Sequence, residues 1–345
     1  MSSSASTPKK RHPIGRFFAF LGVTLLCLVL TLLGLIWVLE RGPSPTVTGM
    51  FTRSVRETSA IRWISNIFLS DEELDNYKSV STENTVTEAV NTSLIHIAEG
   101  TASLPPSESV QLIDIAEGTC KGKLLIVSDP KQVILGTSDE FVRQPGLLLT
   151  DMVAKYDGIA GINAGGFNDE NGSGNGGIPQ GLVITNGEII WGDGTTPYHM
   201  VGLDSDGILH VGAMSGNAAV EQGVQWAVSF ITHDGLASSL IINGEVQQQN
   251  LGGGVNPRTA LGQRADGALL LLVLDGRSIN TLGATMEDVV NIMLEYGAVN
   301  ADNLDGGSSS VMVYDGEIIN HCASVTGPRR IPTGFIVLKE GAAHG

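Results

Sequence analysis

The sequence has few cysteines, few aromatic residues and no familiar metal-binding spacing. Three of its 345 residues are cysteines, and neither a CxxC nor an HExxH pattern occurs. The chain therefore lacks the sequence pattern of a structural or catalytic zinc site. Aromatic residues are 5% of the chain, whereas glycines number 44. This balance favours a protein of many short strands and turns over a helical bundle.

Positive charge is also scarce. Lysine and arginine number 20 against 36 aspartates and glutamates, which gives a formal net charge of -16. Most of such a surface would repel a polyanion, so the composition argues against nucleic acid as a partner. Hydrophobic residues are 42% of the chain and charged residues 16%, which is enough apolar material for a sizeable core.

The longest apolar run covers residues 17–39 and contains no charged residue. As a helix it would rise about 34 Å, against a hydrocarbon core of about 30 Å. Basic residues precede the run, at Lys9, Lys10, Arg11 and Arg16. By the positive-inside rule, we expect residues 1–16 to be a cytoplasmic tail and residues 41–345 to be extracellular. A cleaved signal peptide is the alternative, but the run is long and ends at Glu40 without small residues. We therefore expect a single-pass membrane anchor.

Residues 40–109 are predicted to be a stalk, and residues 110–340 the catalytic domain. The stalk begins with a Gly-Pro-Ser-Pro segment and contains a helical signal. Ser70 followed by Glu73 fits a capping box, and apolar residues at helical spacing precede it. A disulfide between Cys120 and Cys322 is a guess, because spacing alone cannot show whether they meet.

In the domain, apolar strand-like runs alternate with turn signals. Asn186-Gly187 and Asn243-Gly244 are tight hairpin signals, which indicates antiparallel pairing. Helices are predicted after Thr150 and after Thr285 as N-caps. The pattern indicates an α+β fold with a mixed, largely antiparallel sheet and a few packed helices. The predicted strands are 123–127, 181–185, 188–191, 208–211, 240–242, 268–274, 311–314 and 333–338.

Three glycine-containing segments place polar side chains among small residues. They are NAGGF at 163–167, NPRTALG at 256–262 and LDGGSS at 304–309. Arg258 opens a strand-like run, where its fork could grip phosphate. Asp305 precedes two glycines that let the chain turn and a ligand approach. Each alone has an ordinary explanation, since Asp-Gly is a common turn and most arginines are surface residues.

Taken together and in this order, the three segments resemble the phosphodiester glycosidase family. The resemblance runs from about residue 113 to residue 338. It implies hydrolysis of a sugar-1-phosphodiester between the anomeric carbon and the phosphate oxygen. We expect the substrate to be a glycan or sugar phosphate, for example in a cell-surface polysaccharide or exopolysaccharide.

The chemistry suggests a role for each polar residue. A phosphate leaving group needs little protonation, so Arg258 could assist departure by neutralising its charge. Asp305 could stand beside the oxocarbenium-like transition state or activate water. Asn163 would orient the substrate. The remaining candidates for substrate binding are Gly165, Gly166, Phe167, Thr259, Gly306, Gly307, Ser308, Asp275 and Arg277.

Several alternatives stay open at this point. The chain could be a surface glycan-binding module without catalysis, or a phosphodiesterase that cuts the P–O bond. No cofactor is required by the sequence, although oxygen ligands around the Asp305 turn leave a divalent cation such as calcium open. His233-Asp234 is a weaker candidate for a general base pair. The chain also departs from the family at Ser308, where a third glycine is common, which puts the substrate's identity in doubt.

Overall fold

The protein is described by a computed structural model. The structure describes residues 13–77, 89–97, 109–169, 174–230, 239–247, 253–278, 280–324 and 327–339.

Helix α1, Pro13–Arg41, contains the predicted apolar run. By length and composition it could cross a membrane, and nearly all of its side chains are exposed. A signal sequence near the N-terminus would pass the same test. The predicted apolar helix is thus confirmed, and its function as an anchor stays a prediction.

The segment after α1 is mostly helical and contacts the domain. Helix α2, Pro45–Arg56, is capped by the side chain of Ser44, which accepts from Val47 N. A 3-10 helix follows at Ser59–Asn66, where the apolar spacing had indicated an α-helix. Helix α3, Asp71–Asp75, begins with the predicted capping box. Helix α2 was not predicted. The proline-containing sequence at its start indicated a stalk, although proline is also favourable in the first turn of a helix.

Three antiparallel sheets form the domain, and every pair of neighbouring strands that the structure describes is antiparallel. The α+β fold class is therefore confirmed. The first sheet has seven strands in the order β1 Val110–Glu117, β2 Cys120–Val127, β13 Leu269–Leu274, β12 Arg258–Arg264, β14 Ala298–Asn303, β10 Ser239–Ile242 and β11 Glu245–Val246. The second has the order β16 Glu317–Ile318, β15 Met312–Tyr314, β4 Gly158–Asn163, β17 Thr333–Leu338 and β3 Val133–Thr137. The third has the order β6 Glu188–Trp191, β5 Val183–Thr185, β9 Val224–Ser229, β7 Pro197–Asp204 and β8 Leu209–Ser215.

Among the described residues, three helices pack on these sheets: α4 Leu149–Lys155, α5 Gly216–Glu221 and α6 Met286–Glu295. Helix α6 starts with a capping box between Thr285 and Asp288, so the predicted cap is confirmed. The predicted cap at Thr150 is wrong. Helix α4 already includes that residue, and its N-cap is Leu148, which makes no side-chain cap.

The main hydrophobic core contains side chains from all three sheets. Leu125 of the first sheet, Phe335 of the second and Val228 of the third belong to one buried cluster. A second cluster fills the other face of the seven-stranded sheet, under α6. Strands β4, β12 and β14 therefore enter a rigid centre, and the loops at their ends are held in fixed positions.

Candidate active site

The three glycine-containing segments meet where β4 and β14 end and β12 begins. Leu304 N donates to Thr259 O at 2.8 Å, and Asp305 N donates to Ala164 O at 3.0 Å. These two backbone hydrogen bonds join the Asp305 turn to the other two segments. The predicted convergence of the segments is therefore present in the fold.

Asn163 is the junction of this arrangement. Its Nδ2 donates to the backbone oxygen of Asp305 at 2.5 Å. Its Oδ1 accepts from Thr259 Oγ1 at 2.9 Å and from Val311 N at 3.1 Å. Both Asn163 and Thr259 are buried. The Asn163 side chain thus links the Asp305 turn to Thr259 and positions the turn without exposing a group to solvent.

The glycines after Asn163 allow the second and third sheets to approach each other. A Cβ atom on Gly165 would lie 3.0 Å from Val228 Cβ and 3.1 Å from Ser229 O. Gly165 N donates to Thr333 Oγ1 at 3.1 Å, and Gly166 N donates to Ser229 O at 3.2 Å. Both N–H groups that we predicted to face a ligand therefore have partners inside the protein. Their part in substrate binding stays a prediction.

Asp305 is half-buried, and its environment changes its acidity. Burial raises the pKa of the Asp305 carboxyl to about 7. A hydrogen bond from the Ser309 side chain and the positive charge of Arg329 lower this pKa, whereas the negative charge of Asp169 raises it. A carboxyl that titrates near neutral pH can take up or release a proton under physiological conditions. This is the acid–base property expected of a catalytic group.

Arg277 lies beside the glycine turn that follows Asp305. A Cβ atom on Gly307, where φ is +64°, would lie 3.2 Å from Arg277 Nη2. The same nitrogen donates to Asn256 Oδ1 at 3.1 Å and to Thr58 Oγ1 at 2.7 Å. The glycine thus leaves room for the guanidinium, and the part of Arg277 in substrate binding stays a prediction. Through Thr58, the segment that follows α1 also contacts Arg277.

Arg258 is buried and fully engaged. Its Nε donates to Ala284 O at 3.1 Å, and its Nη2 donates to Gly254 O at 2.5 Å and to Glu57 Oε2 at 2.9 Å. Because neighbouring strand residues point to opposite faces, Arg258 and Thr259 leave β12 on different sides. Arg258 therefore faces the α6 side, and Thr259 faces Asn163.

Glu57 binds in a small oxyanion pocket made by the loop before β12. Its carboxylate accepts from Gly254 N at 2.9 Å and from Asn256 Nδ2 at 2.7 Å, in addition to Arg258. Ser54 Oγ accepts from Val255 N at 2.8 Å beside it. The chain itself thus places an anion against Arg258. We name Asn256, Arg258 and Arg277 with Glu57 the Arg258 cluster.

A second arginine cluster lies on the other side of the Asp305 turn. Arg329 forms a two-pronged ion pair with Asp169, at 2.8 and 3.1 Å. Its Nη1 also donates to Ser308 Oγ at 3.2 Å, and its guanidinium carbon is 5.2 Å from the centre of the Phe167 ring. We name Asp305, Ser308, Asp169 and Arg329 the Asp305 cluster.

The sequence reasoning missed Arg329, Asp169 and Glu57. Two of these residues had a weak signal in the sequence. Arg329 belongs to a Gly-Pro-Arg-Arg run before a predicted strand, and Asp169 follows the NAGGF segment. Nothing in the sequence indicated Glu57. Asp275, in contrast, was predicted as a candidate for substrate binding, which stays a prediction. Its Oδ1 accepts from His321 N at 2.9 Å, and burial raises its pKa.

The sequence left a disulfide between Cys120 and Cys322 open, and the structure does not form it. Cys120 and Cys322 are both free, and each lies against a different backbone oxygen, of Gly283 and of Ser308. Within the described ranges, no group of three or more His, Cys, Asp or Glu side chains could hold a metal ion. His233 and Asp234 lie outside the described residues.

Comparison with known proteins agrees with this arrangement. The bovine (Bos taurus) N-acetylglucosamine-1-phosphodiester alpha-N-acetylglucosaminidase is 27% identical over 172 residues, which are 44% of this chain and 32% of that protein. An SPbeta prophage-derived uncharacterized protein of Bacillus subtilis, YomE, is 44% identical over 66 residues, which are 19% of this chain and 10% of that protein. The chain thus spans at most a third of the length of these two relatives.

A solved structure supports the fold. The catalytic domain of zebrafish N-acetylglucosamine-1-phosphodiester alpha-N-acetylglucosaminidase, auto-inhibited by pro-peptide, superposes with a TM-score of 0.54 at 18% identity. The match covers 74% of this chain and 96% of that chain.

The family model for phosphodiester glycosidase matches residues 156–338. The match is 183 of 345 residues, just over half of the chain, and it contains all three glycine-containing segments. The resemblance expected from the sequence is confirmed, and the chain belongs to the phosphodiester glycosidase family.

Proposed function

We propose that this protein is a membrane-anchored extracellular hydrolase that cleaves a sugar-1-phosphodiester between the anomeric carbon and the phosphate oxygen. The observation that carries this proposal is Asp305, a half-buried carboxyl with a pKa raised to about 7 at the meeting point of the three segments. Family membership supports the reaction type. The substrate class that we propose is a phosphodiester-linked glycan of the cell surface.

The reaction needs a base and a positively charged environment for the leaving group. In its ionised form, Asp305 removes a proton from a water molecule whose oxygen attacks the anomeric carbon. The bond from that carbon to the phosphate oxygen breaks, and the phosphomonoester leaves with the electron pair. Arg277, beside the Gly307 turn, and Arg258 neutralise the negative charge that develops. The reaction yields a free sugar and a phosphomonoester.

The Arg258 cluster supports a phosphate subsite, because it already binds a carboxylate. Glu57 accepts three hydrogen bonds there, from a backbone N–H, an amide and a guanidinium. Phosphate oxygens would be recognised by the same donors. Glu57 must leave before phosphate can bind Arg258. The zebrafish relative is auto-inhibited by pro-peptide, and we propose that residues 45–58 block this chain's site in a comparable way.

Product analysis tests the reaction. The full chain in detergent is incubated with an N-acetylglucosamine-1-phosphodiester in water enriched in heavy oxygen. We expect release of a reducing sugar that carries the heavy oxygen. Heavy oxygen in the phosphate would show P–O cleavage instead, and saturable binding without product would show a glycan-binding module. Either result would reject the proposal. Activity that is lost in chelator and restored by calcium would add a cation to the site.

Topology needs a separate test. With one tag before residue 13 and another after residue 339, intact cells are treated with protease. We expect only the C-terminal tag to be removed, because residues 17–39 would span the membrane with the domain outside. Release of the domain into the medium without its N-terminal tag would indicate a cleaved signal peptide.

A further inference from the structure

The ion pair between Arg329 and Asp169 has no part in the reaction as described above, yet it contacts Ser308 of the turn that follows Asp305. Asp169 follows the NAGGF segment, and Arg329 precedes β17. The Asp169 carboxylate also accepts from Gly174 N at 2.7 Å, and Arg329 Nη2 donates to Gly174 O at 2.9 Å. The pair therefore joins Asp169 to Gly174, on either side of residues 170–173.

Arg329 connects this loop to the Asp305 turn. Its Nη1 donates to Ser308 Oγ at 3.2 Å, three residues after Asp305. The guanidinium also lies over the Phe167 ring at 5.2 Å, in a cation–π contact that fixes its plane. Four partners from three chain segments hold one side chain. Such a guanidinium has little freedom to reorient.

We infer that Arg329 and Asp169 are a positioning pair, which holds Ser308 and the loop after Phe167 in register around Asp305 and sets the electrostatic field at its carboxylate. This inference rests on the proposed function of Asp305. The two charges have opposite signs and are paired, so the Asp305 carboxylate experiences only the difference between them. Among the described residues, Arg329 lowers the pKa of Asp305 and Asp169 raises it, while Arg277 lies beside Gly307.

Opposite charges imply opposite consequences of their removal. In Arg329→Gln, the Asp169 charge remains unopposed and should move the ionisation of Asp305 to higher pH. In Asp169→Asn, the Arg329 charge remains and should move it to lower pH. In the double variant, both charges are gone and the midpoint should return towards that of the wild type. A purely structural pair would lower activity in all three without opposite shifts of the midpoint.

The experiment measures the pH profile of kcat/KM for the full chain in detergent, with an N-acetylglucosamine-1-phosphodiester as the probe. We expect the acidic midpoint to move by about one pH unit in each single variant, upward for Arg329→Gln and downward for Asp169→Asn. Arg330→Gln is the matched control, because Arg330 is the exposed neighbour and donates to Gly146 O. Arg329→Lys keeps the charge but not the fork, so it should keep the midpoint and lose kcat.

A second readout does not depend on catalysis. The difference in unfolding free energy between each background and its Asp305→Asn derivative, followed against pH, reports the ionisation of Asp305 directly. If the midpoints shift in this measurement but the protein hydrolyses no substrate, the proposed function is rejected and the inference about the Arg329–Asp169 pair stands. Hydrolysis with midpoints that are unmoved, or moved in the same direction by both variants, would overturn the inference.

Discussion

The Arg258 and Asp305 clusters each contain an arginine paired with a carboxylate, and the pairs look alike. The closest N···O distances are 2.9 Å for Arg258–Glu57 and 2.8 Å for Arg329–Asp169. Side-chain exposure is 7% and 17% in the first pair and 13% and 18% in the second. Geometry and burial therefore do not distinguish them.

The two pairs differ in where the carboxylate residue lies in the sequence. Asp169 lies within the region that matches the family, residues 156–338, whereas Glu57 lies outside it and 201 residues from Arg258. The Glu57 segment touches the pocket through polar groups, at Ser54, Glu57 and Thr58. Polar contacts of this kind can be replaced by water or by a ligand at low net cost. We therefore treat the first pair as removable and the second as part of the site.

The largest effect is expected from Asp305 itself. Asp305→Asn should lower kcat by about 10³-fold, because the amide cannot accept a proton. Asp315→Asn is the matched control, since Asp315 also precedes a glycine but lies in an exposed hairpin turn. Steady-state rates with the phosphodiester probe would decide. Full activity in Asp305→Asn would remove the reason for placing the reaction between the two clusters.

The next effect concerns the junction between the clusters. Asn163→Ala removes three hydrogen bonds and leaves buried partners unpaired, so we expect a loss of about 2–4 kcal/mol in unfolding free energy. Urea midpoints measure it. The exposed Asn217 on α5 is the control, and Asn217→Ala should change stability by less than about 0.5 kcal/mol. If both variants behave alike, the Asn163 carboxamide does not hold the clusters together.

Glu57→Gln should sharpen the comparison most directly. Loss of the charge weakens the contact with Arg258, so the phosphate subsite should open and kcat/KM should rise about 10-fold, a gain of about 1.4 kcal/mol. Stability should fall by about 1–2 kcal/mol. Glu73→Gln is the control, because Glu73 pairs with Arg41 at an exposed position. A fall in activity would instead assign Glu57 to the working site.

The smallest effect is on the pH dependence of stability. The folded pKa of Asp305, about 7, is above the ordinary value of 3.8, so the folded state binds the proton more tightly. The contribution of Asp305 is therefore fully present at acidic pH and is lost as pH rises from about 4 through about 7. Relative to the wild type, Asp305→Asn should gain about 1–2 kcal/mol between about pH 5 and about pH 8. A difference in unfolding free energy that does not change with pH would show that the pKa of Asp305 has the ordinary value of a carboxyl.

Local signals predicted much of the fold. Strands β6 and β17 have the predicted bounds, the domain's first described strand begins at Val110, and the capping boxes at Ser70 and Thr285 are present. These features depend on residues within a few positions of each other. The three segments also meet as expected, because a shared order of motifs reflects a shared fold.

The remaining features depend on distant partners. Arg258 was singled out as a candidate for binding phosphate, which stays a prediction, and its contacts with Glu57 and Ala284 O cannot be predicted from neighbouring residues. Arg329 was missed because its partners are 21 to 160 residues away. The alternation of β12 did place Arg258 and Thr259 on opposite faces. That conclusion was available from the sequence once the strand was assigned.

The position of β17 governs the order in which the site can be completed. This strand, the last one that the structure describes, lies between β3 and β4 and pairs with both. During synthesis β3 and β4 must wait until residues 333–338 are made before their shared neighbour exists. Contacts of such long sequence separation form late and slowly. A nascent or C-terminally truncated chain should therefore lack hydrolytic activity, which would begin only when the final strand has inserted.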